Sequence, residues 1–60
     1  MIGRMSETIR TPGAEVITPR GRGVVVDVRA APSGQFLIGV EDDTGEVGYF
    51  TENVLRLASG

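Results

Sequence analysis

The sequence predicts a small all-β domain of five short strands. The support comes from short runs rich in β-branched residues, from glycine-containing turns between these runs, and from the absence of a segment long enough for a sizeable helix. The chain has 60 residues and no cysteine, so a thin core without disulfides must stabilise it. Assembly into an oligomer or a larger complex is therefore an expected source of further stability.

The first two strands are separated by a turn that proline and glycine mark. Residues 14–18 form the first predicted strand, with Val16 facing inward, and Pro19 ends it because proline cannot donate to a ladder. A glycine-rich turn over residues 19–23 leads into the second strand, residues 24–29. Alternation in this second strand predicts three inward side chains, those of Val24, Val26 and Val28.

The second half of the chain predicts three further strands. A loop ends at Gly34, and residues 35–41 then form the third strand. Residues 42–45, Asp-Asp-Thr-Gly, are typical of a hairpin turn and lead into a fourth strand at residues 46–50. One helical turn follows before the last strand, residues 54–57. The third strand is predicted to turn three side chains inward, those of Phe36, Ile38 and Val40.

Five strands with one short 3-10 turn before the last match an SH3-like barrel, which we assign to residues 13–60. Residues 1–12 show no sustained period and end at a Pro-Gly step, so they predict a flexible N-terminal arm.

The composition excludes several common chemistries. The chain has no histidine, cysteine or lysine, so the usual nucleophile-base pairs, Schiff bases and zinc sites cannot form. We therefore predict no catalytic residues, no cofactor and no metal site. The acidic residues around the hairpin turn could bind a cation through oxygen, but their spacing is not that of a calcium loop. We interpret them as a hydrophilic hairpin tip that discourages edge pairing; they are Glu41, Asp42, Asp43 and Glu46.

Charge is distributed unevenly along the chain. The net charge of −2 argues against general nucleic-acid binding. Five of the six arginines lie in residues 1–29, whereas residues 41–52 hold five acids and no base. This asymmetry suggests head-to-tail contact between copies of the chain. Neither a membrane-spanning run nor a signal peptide is recognisable, so we expect a cytoplasmic protein.

Two short segments are candidate partner-binding sites. Arg20 and Arg22 alternate with glycines, which allow close backbone approach while the guanidinium groups bind carboxylate or phosphate. Tyr49 and Phe50 are adjacent in a strand, so only one can face the core and the other is available to a partner.

Residues 13–26, GAEVITPRGRGVVV, resemble the opening of KOW-type and CarD-type domains. These SH3-like modules place a strand, a glycine-rich turn and a valine-rich strand in succession, and they bind ribosomal RNA or RNA polymerase. The resemblance implies a module that contacts RNA or RNA polymerase.

Residues 45–55, GEVGYFTENVL, resemble the Gly-x-Val-Gln-Ile-Tyr segment of the plasmid-borne type II dihydrofolate reductases. Those short SH3-like chains assemble as tetramers around one pore. Here the pore glutamine falls on Gly48, the isoleucine on Tyr49 and the tyrosine on Phe50, while the cofactor-binding lysine falls near Thr18. The resemblance therefore implies an oligomeric pore protein with the fold and assembly of that family but without its activity.

The interpretation that these observations favour is a small non-enzymatic SH3-like binding or assembly module. It would self-associate as a homo-oligomer or act as an accessory subunit of a larger complex. Its predicted contact residues are Arg20, Arg22, Tyr49 and Phe50.

Overall fold

The computed structural model describes residues 9–58 and confirms the all-β fold class. One antiparallel sheet has the strand order β4-β3-β2-β1-β5. No ladder joins β4 to β5 in residues 9–58, so hydrogen bonds do not close the barrel. No helix within these residues is long and apolar enough to cross a membrane. The elements are β1 (Glu15–Thr18), β2 (Gly21–Ala30), β3 (Phe36–Asp42), β4 (Val47–Thr51), the 3-10 helix η1 (Glu52–Val54) and β5 (Arg56–Leu57).

The core lies against one face of the sheet, which we call the inner face. Val16 and Ile38 are fully buried, and Val40 is nearly so, which confirms the predicted inward positions on β1 and β3. Phe36 is half-buried and packs against this core. The buried hydrophobic side chains are Ile9, Val16, Val25, Ile38, Val40 and Leu55.

The predicted inward face of β2 is wrong at two of its three positions. Val25 is buried, while Val24 and Val26 are exposed. The cause is an irregularity in the β2–β3 ladder between Val25 and Asp27, where one residue of β2 has no partner. Such a β-bulge shifts the alternation by one residue, so Val28 again packs against the core as predicted.

The N-terminal side of the domain begins earlier than the sequence predicts. Ile9 is buried in the core, and the guanidinium carbon of Arg10 lies 4.4 Å from the ring centre of Phe36. Both residues were assigned to a flexible arm, yet they pack against the sheet. The sequence failed to indicate this because one apolar residue in a polar segment produces no period. Residues 1–8 of the predicted arm lie outside the described residues.

The hairpin turn between β3 and β4 forms as the sequence predicts. Gly45 has a φ of +89°, which glycine adopts without strain. Its N–H donates to the Asp42 carbonyl, and one Asp42 carboxylate oxygen accepts from the backbone N–H and the hydroxyl of Thr44. The turn is therefore built from local side-chain chemistry, which explains why its sequence signal is clear.

Candidate functional site

The outer face of β2, β3 and β4 carries four of the five large exposed hydrophobic residues of the described chain. Four large hydrophobic side chains on this face are between 38% and 47% exposed. Exposed apolar side chains gathered on one face of so small a domain are typical of a binding site. We call these four residues the outer patch: Val24, Val26, Val47 and Tyr49.

Strand register sets the positions of these side chains. Val24 lies opposite Glu41, and Glu41 lies opposite Val47, so these residues cross the sheet in one row. The next row contains Asp27, Gly39 and Tyr49. Because Val26 occupies the bulge, it joins Asp27 on the outer side instead of entering the core.

Gly39 provides the space in which Tyr49 lies. A β-carbon at position 39 would come within 2.9 Å of a Tyr49 ring carbon and 3.0 Å of the Asp27 β-carbon. A side chain at this position would therefore displace the tyrosine ring. With glycine present, the ring lies across the β3 backbone and its hydroxyl donates to the Asp27 Oδ2 at 2.7 Å.

Asp27 holds the centre of the outer face together. Its Oδ2 also accepts from the Arg29 Nε at 2.9 Å, and its Oδ1 accepts from the Val28 backbone N–H at 2.9 Å. The hydrogen bond from Tyr49, followed by that from Arg29, holds the pKa of Asp27 below its ordinary value. The same bond to Asp27 raises the pKa of the Tyr49 hydroxyl. Three side chains thus hold one another in fixed positions on an accessible surface.

The structure separates the two adjacent aromatic residues predicted as contacts. Tyr49 lies on the outer face, whereas Phe50 is half-buried and packs against the core. Phe50 lies next to Gly48, where an added β-carbon would meet the phenyl ring at 3.3 Å. Of this pair, only Tyr49 has its ring on the outer face.

Arg20 and Arg22 lie beside a cleft between the β1–β2 and β3–β4 turns, and this cleft adjoins the outer patch because Val24 is among its lining residues. The cleft has a volume of about 530 Å³ and is lined by Glu15 and by residues 20–24 and 41–44. Arg20 pairs with Glu46 at 3.4 Å, while Arg22 makes no ion pair within residues 9–58. More carboxylates than guanidinium groups line this cleft, an arrangement that disfavours phosphate binding.

Two arginines of the first half contact acids of the second half of the same chain. Arg20 reaches Glu46, and the Arg10 Nε lies 3.8 Å from a Glu52 carboxylate oxygen. The basic and acidic segments that are separate in sequence are therefore brought together within one chain. This arrangement reduces the free charge on which head-to-tail contact between copies was predicted to depend.

The acidic cluster at the hairpin does not form a metal-binding group. Within residues 9–58, no three acidic side chains converge on a possible metal position. Asp42 instead uses one carboxylate oxygen to bind the Thr44 backbone N–H, the Thr44 hydroxyl and the Glu46 backbone N–H. Its pKa is held below the ordinary value, chiefly by the Thr44 hydroxyl. This carboxylate stabilises the turn.

Sequence reasoning identified Tyr49 but missed Asp27, Arg29 and Gly39. Asp27 and Tyr49 are distant in sequence and meet only because β2 and β4 lie on either side of β3. A usable signal was present at Gly39, since a glycine inside a strand often marks a close approach of other groups.

Comparison with protein-family models, with curated proteins and with solved structures gives no match. The resemblances to KOW-type, CarD-type and dihydrofolate reductase chains therefore stay predictions.

Proposed function

We propose that the chain is a non-enzymatic protein-binding module that uses the outer patch to dock onto an apolar surface of another protein. One observation carries the proposal: of the five large exposed hydrophobic residues in the described chain, four lie on the same face of the sheet. Burial of such a surface against a partner is favourable because it removes apolar area from water.

Tyr49 is the expected anchor of this contact. Its ring is already held by the hydroxyl bond to Asp27 and by the flat surface at Gly39. A side chain fixed before binding loses little conformational entropy when the partner arrives. Tyrosine is also enriched among the residues that dominate binding energy at interfaces.

The charge within the outer face indicates the chemistry of the partner. Glu41 lies between Val24 and Val47 and forms no ion pair within residues 9–58. A partner that covered this carboxylate with apolar groups alone would lose binding energy to its desolvation. We therefore expect an apolar surface that carries one basic side chain opposite Glu41.

A matched pair of substitutions tests the proposal. Val26 lies in the outer patch and Val54 lies outside it on η1, and their exposed fractions are 44% and 43%. We would use the tagged parent chain, Val26→Asp and Val54→Asp to capture proteins from cells that naturally make the chain. Captured proteins would then be quantified by mass spectrometry.

We expect Val54→Asp to retain the proteins captured by the parent chain and Val26→Asp to lose them. Circular dichroism checks that both variants are folded. Equal capture by the two variants would show that binding does not use the outer patch and would overturn the proposal.

A further inference from the structure

β4 is an edge strand with one free side. It is the terminal strand in the sheet order and pairs only with β3. Within residues 9–58, no hydrogen bond is made to the backbone on its other side. An edge of this kind is a template on which another strand can pair.

The alternation of the ladder identifies the free backbone groups. The Asp42 N–H donates to the Glu46 carbonyl, which fixes the start of the β3–β4 hydrogen-bonding pattern. Because inward and outward groups alternate in an antiparallel ladder, the backbone groups of alternate β4 residues point to the open side. These residues are Val47, Tyr49 and Thr51.

The five residues of β4 itself lack the features that usually protect an edge. Glu46, which was expected from the sequence to discourage edge pairing, lies just before the strand and is paired with Arg20. The sequence of β4, VGYFT, contains no charged residue and no proline, and its pairing with β3 is continuous, without a bulge. The opposite edge differs, since β5 has only two residues, one of which is Arg56. Natural edge strands are protected by charge, proline, bulges or short length, so β4 is the unprotected edge of this sheet.

We propose that a second copy of the chain pairs with this edge, β4 against β4 in antiparallel orientation, with Tyr49 at the two-fold axis. In this register Tyr49 faces Tyr49 of the second copy, and Val47 faces Thr51. All the N–H and C=O groups that point to the open side then find partners. The two sheets become one continuous sheet.

Charges at the ends of β4 are compatible with this pairing. The register brings Glu46 of one copy near Glu52 of the other, which would be unfavourable for two bare carboxylates. In each copy, however, Glu46 is paired with Arg20 at 3.4 Å and Glu52 with Arg10 at 3.8 Å. Each carboxylate therefore meets the other copy beside a guanidinium group, which reduces the repulsion between like charges.

The dimer goes beyond the proposed function because its contacts run through the β4 backbone. It leaves the outer faces open and places the two outer patches side by side, with both Tyr49 rings at the centre. A partner that binds one patch could then engage two, which would increase its avidity.

Thr51 offers a direct test because its backbone angles, φ −73° and ψ 151°, already suit proline. Its N–H points to the open edge, so Thr51→Pro removes a dimer donor without removing a β3–β4 bond. The control is Thr51→Ala, which likewise loses the hydroxyl bond to Asn53 but keeps the N–H. Sedimentation equilibrium measures the dimer dissociation constant of each purified chain.

We expect the parent chain to form a dimer and Thr51→Ala to leave its dissociation constant unchanged. For Thr51→Pro we expect dimerisation weaker by on the order of tenfold, because two symmetric backbone hydrogen bonds are lost. Equal dissociation constants for the two variants would overturn the proposal. So would a parent chain that stays monomeric at the highest attainable concentration.

The two proposals fail independently. If Val26→Asp abolishes capture of other proteins while the parent chain is monomeric, the outer patch binds but β4 does not pair. If the parent chain dimerises through β4 while Val26→Asp and Val54→Asp capture the same proteins, edge pairing stands and the outer-patch proposal fails.

Discussion

Tyr49 combines exposure with a fixed position. It is 45% exposed, yet its hydroxyl donates to Asp27 at 2.7 Å and its ring lies against the backbone at Gly39. The Arg29 guanidinium carbon lies 5.2 Å from the ring centre. Free apolar side chains on a surface are usually mobile, whereas this one is held in the orientation that a partner would meet.

The Tyr49 hydroxyl gives a direct spectroscopic test of this arrangement. The chain has one tyrosine and no tryptophan, so absorbance at the phenolate band reports Tyr49 alone. Because donation to the Asp27 carboxylate raises the Tyr49 pKa, we expect the titration midpoint to lie above the ordinary value of about 10. In Asp27→Asn the midpoint should return toward about 10. A parent midpoint at or below that value would contradict the contact.

Asp27 also predicts how stability depends on pH. Its pKa is lower in the folded chain than in the unfolded chain. Its stabilising contribution is therefore fully present above about pH 4 and is lost as the pH falls through the folded value. We expect the stability difference between the parent chain and Asp27→Asn, measured by urea unfolding, to shrink as the pH falls below about 4. A difference that does not depend on pH would refute this role.

At the residue scale, the sequence predicted that one residue of the Tyr49–Phe50 pair faces outward but not how its ring is held. The exposure of one residue of the Tyr49–Phe50 pair follows from strand alternation alone. The bond between Asp27 and Tyr49 depends on the register of three strands and on the missing side chain at Gly39. Local patterns do not contain that information.

At the element scale, the bulge in β2 decides which valines form the core. Val24 and Val26 lie outside, and Val25 between them is buried. The same bulge allows Asp27 to reach Tyr49, because it turns Asp27 outward beside Gly39. One irregular position therefore links core packing with the geometry of the outer face.

Alanine substitutions in β2 test whether Val25, and not Val24, is the core residue. Val25→Ala removes buried methyl groups and should lower the free energy of unfolding by about 2 kcal/mol. Val24→Ala alters an exposed side chain and should change it by less than about 0.5 kcal/mol. Urea denaturation measures both values. If Val24→Ala proved the more destabilising of the two, the alternation predicted from the sequence, with Val24 facing inward, would be right and the bulge would be absent.

The turn between β3 and β4 could be predicted from the sequence, whereas the bulge in β2 could not. The turn at residues 42–45 was predictable because its aspartates and glycine form it locally. The bulge was not, because a run of three valines gives no sign of which one faces inward. Glycine often marks a bulge, but the run over residues 24–26 contains none.

At the scale of the whole molecule, the segment before β1 is part of the folded unit. Ile9 is buried in the core, and the Gly13 N–H donates to the Val25 carbonyl at 2.8 Å. Arg10 packs over Phe36 and compensates a buried Glu52 carboxylate oxygen that has no hydrogen bond. A core this small depends on every buried side chain.

Truncation of Ile9 measures that dependence. We expect Ile9→Ala to lower the free energy of unfolding by at least about 2 kcal/mol, which corresponds to a fall of about 8–16 °C in Tm for a domain of this size. The matched control is Val54→Ala, an exposed position that should shift Tm little. An equally small shift for both variants would place Ile9 outside the core.

We propose that the outer patch is the surface on which this chain meets other proteins. The decisive measurement is photo-crosslinking in intact cells that naturally make the chain, with a photo-reactive amino acid placed at position 26 and, separately, at position 54. We predict a discrete protein adduct from position 26 and none from position 54. Adducts from position 54 alone, or the same adducts from both positions, would contradict the account.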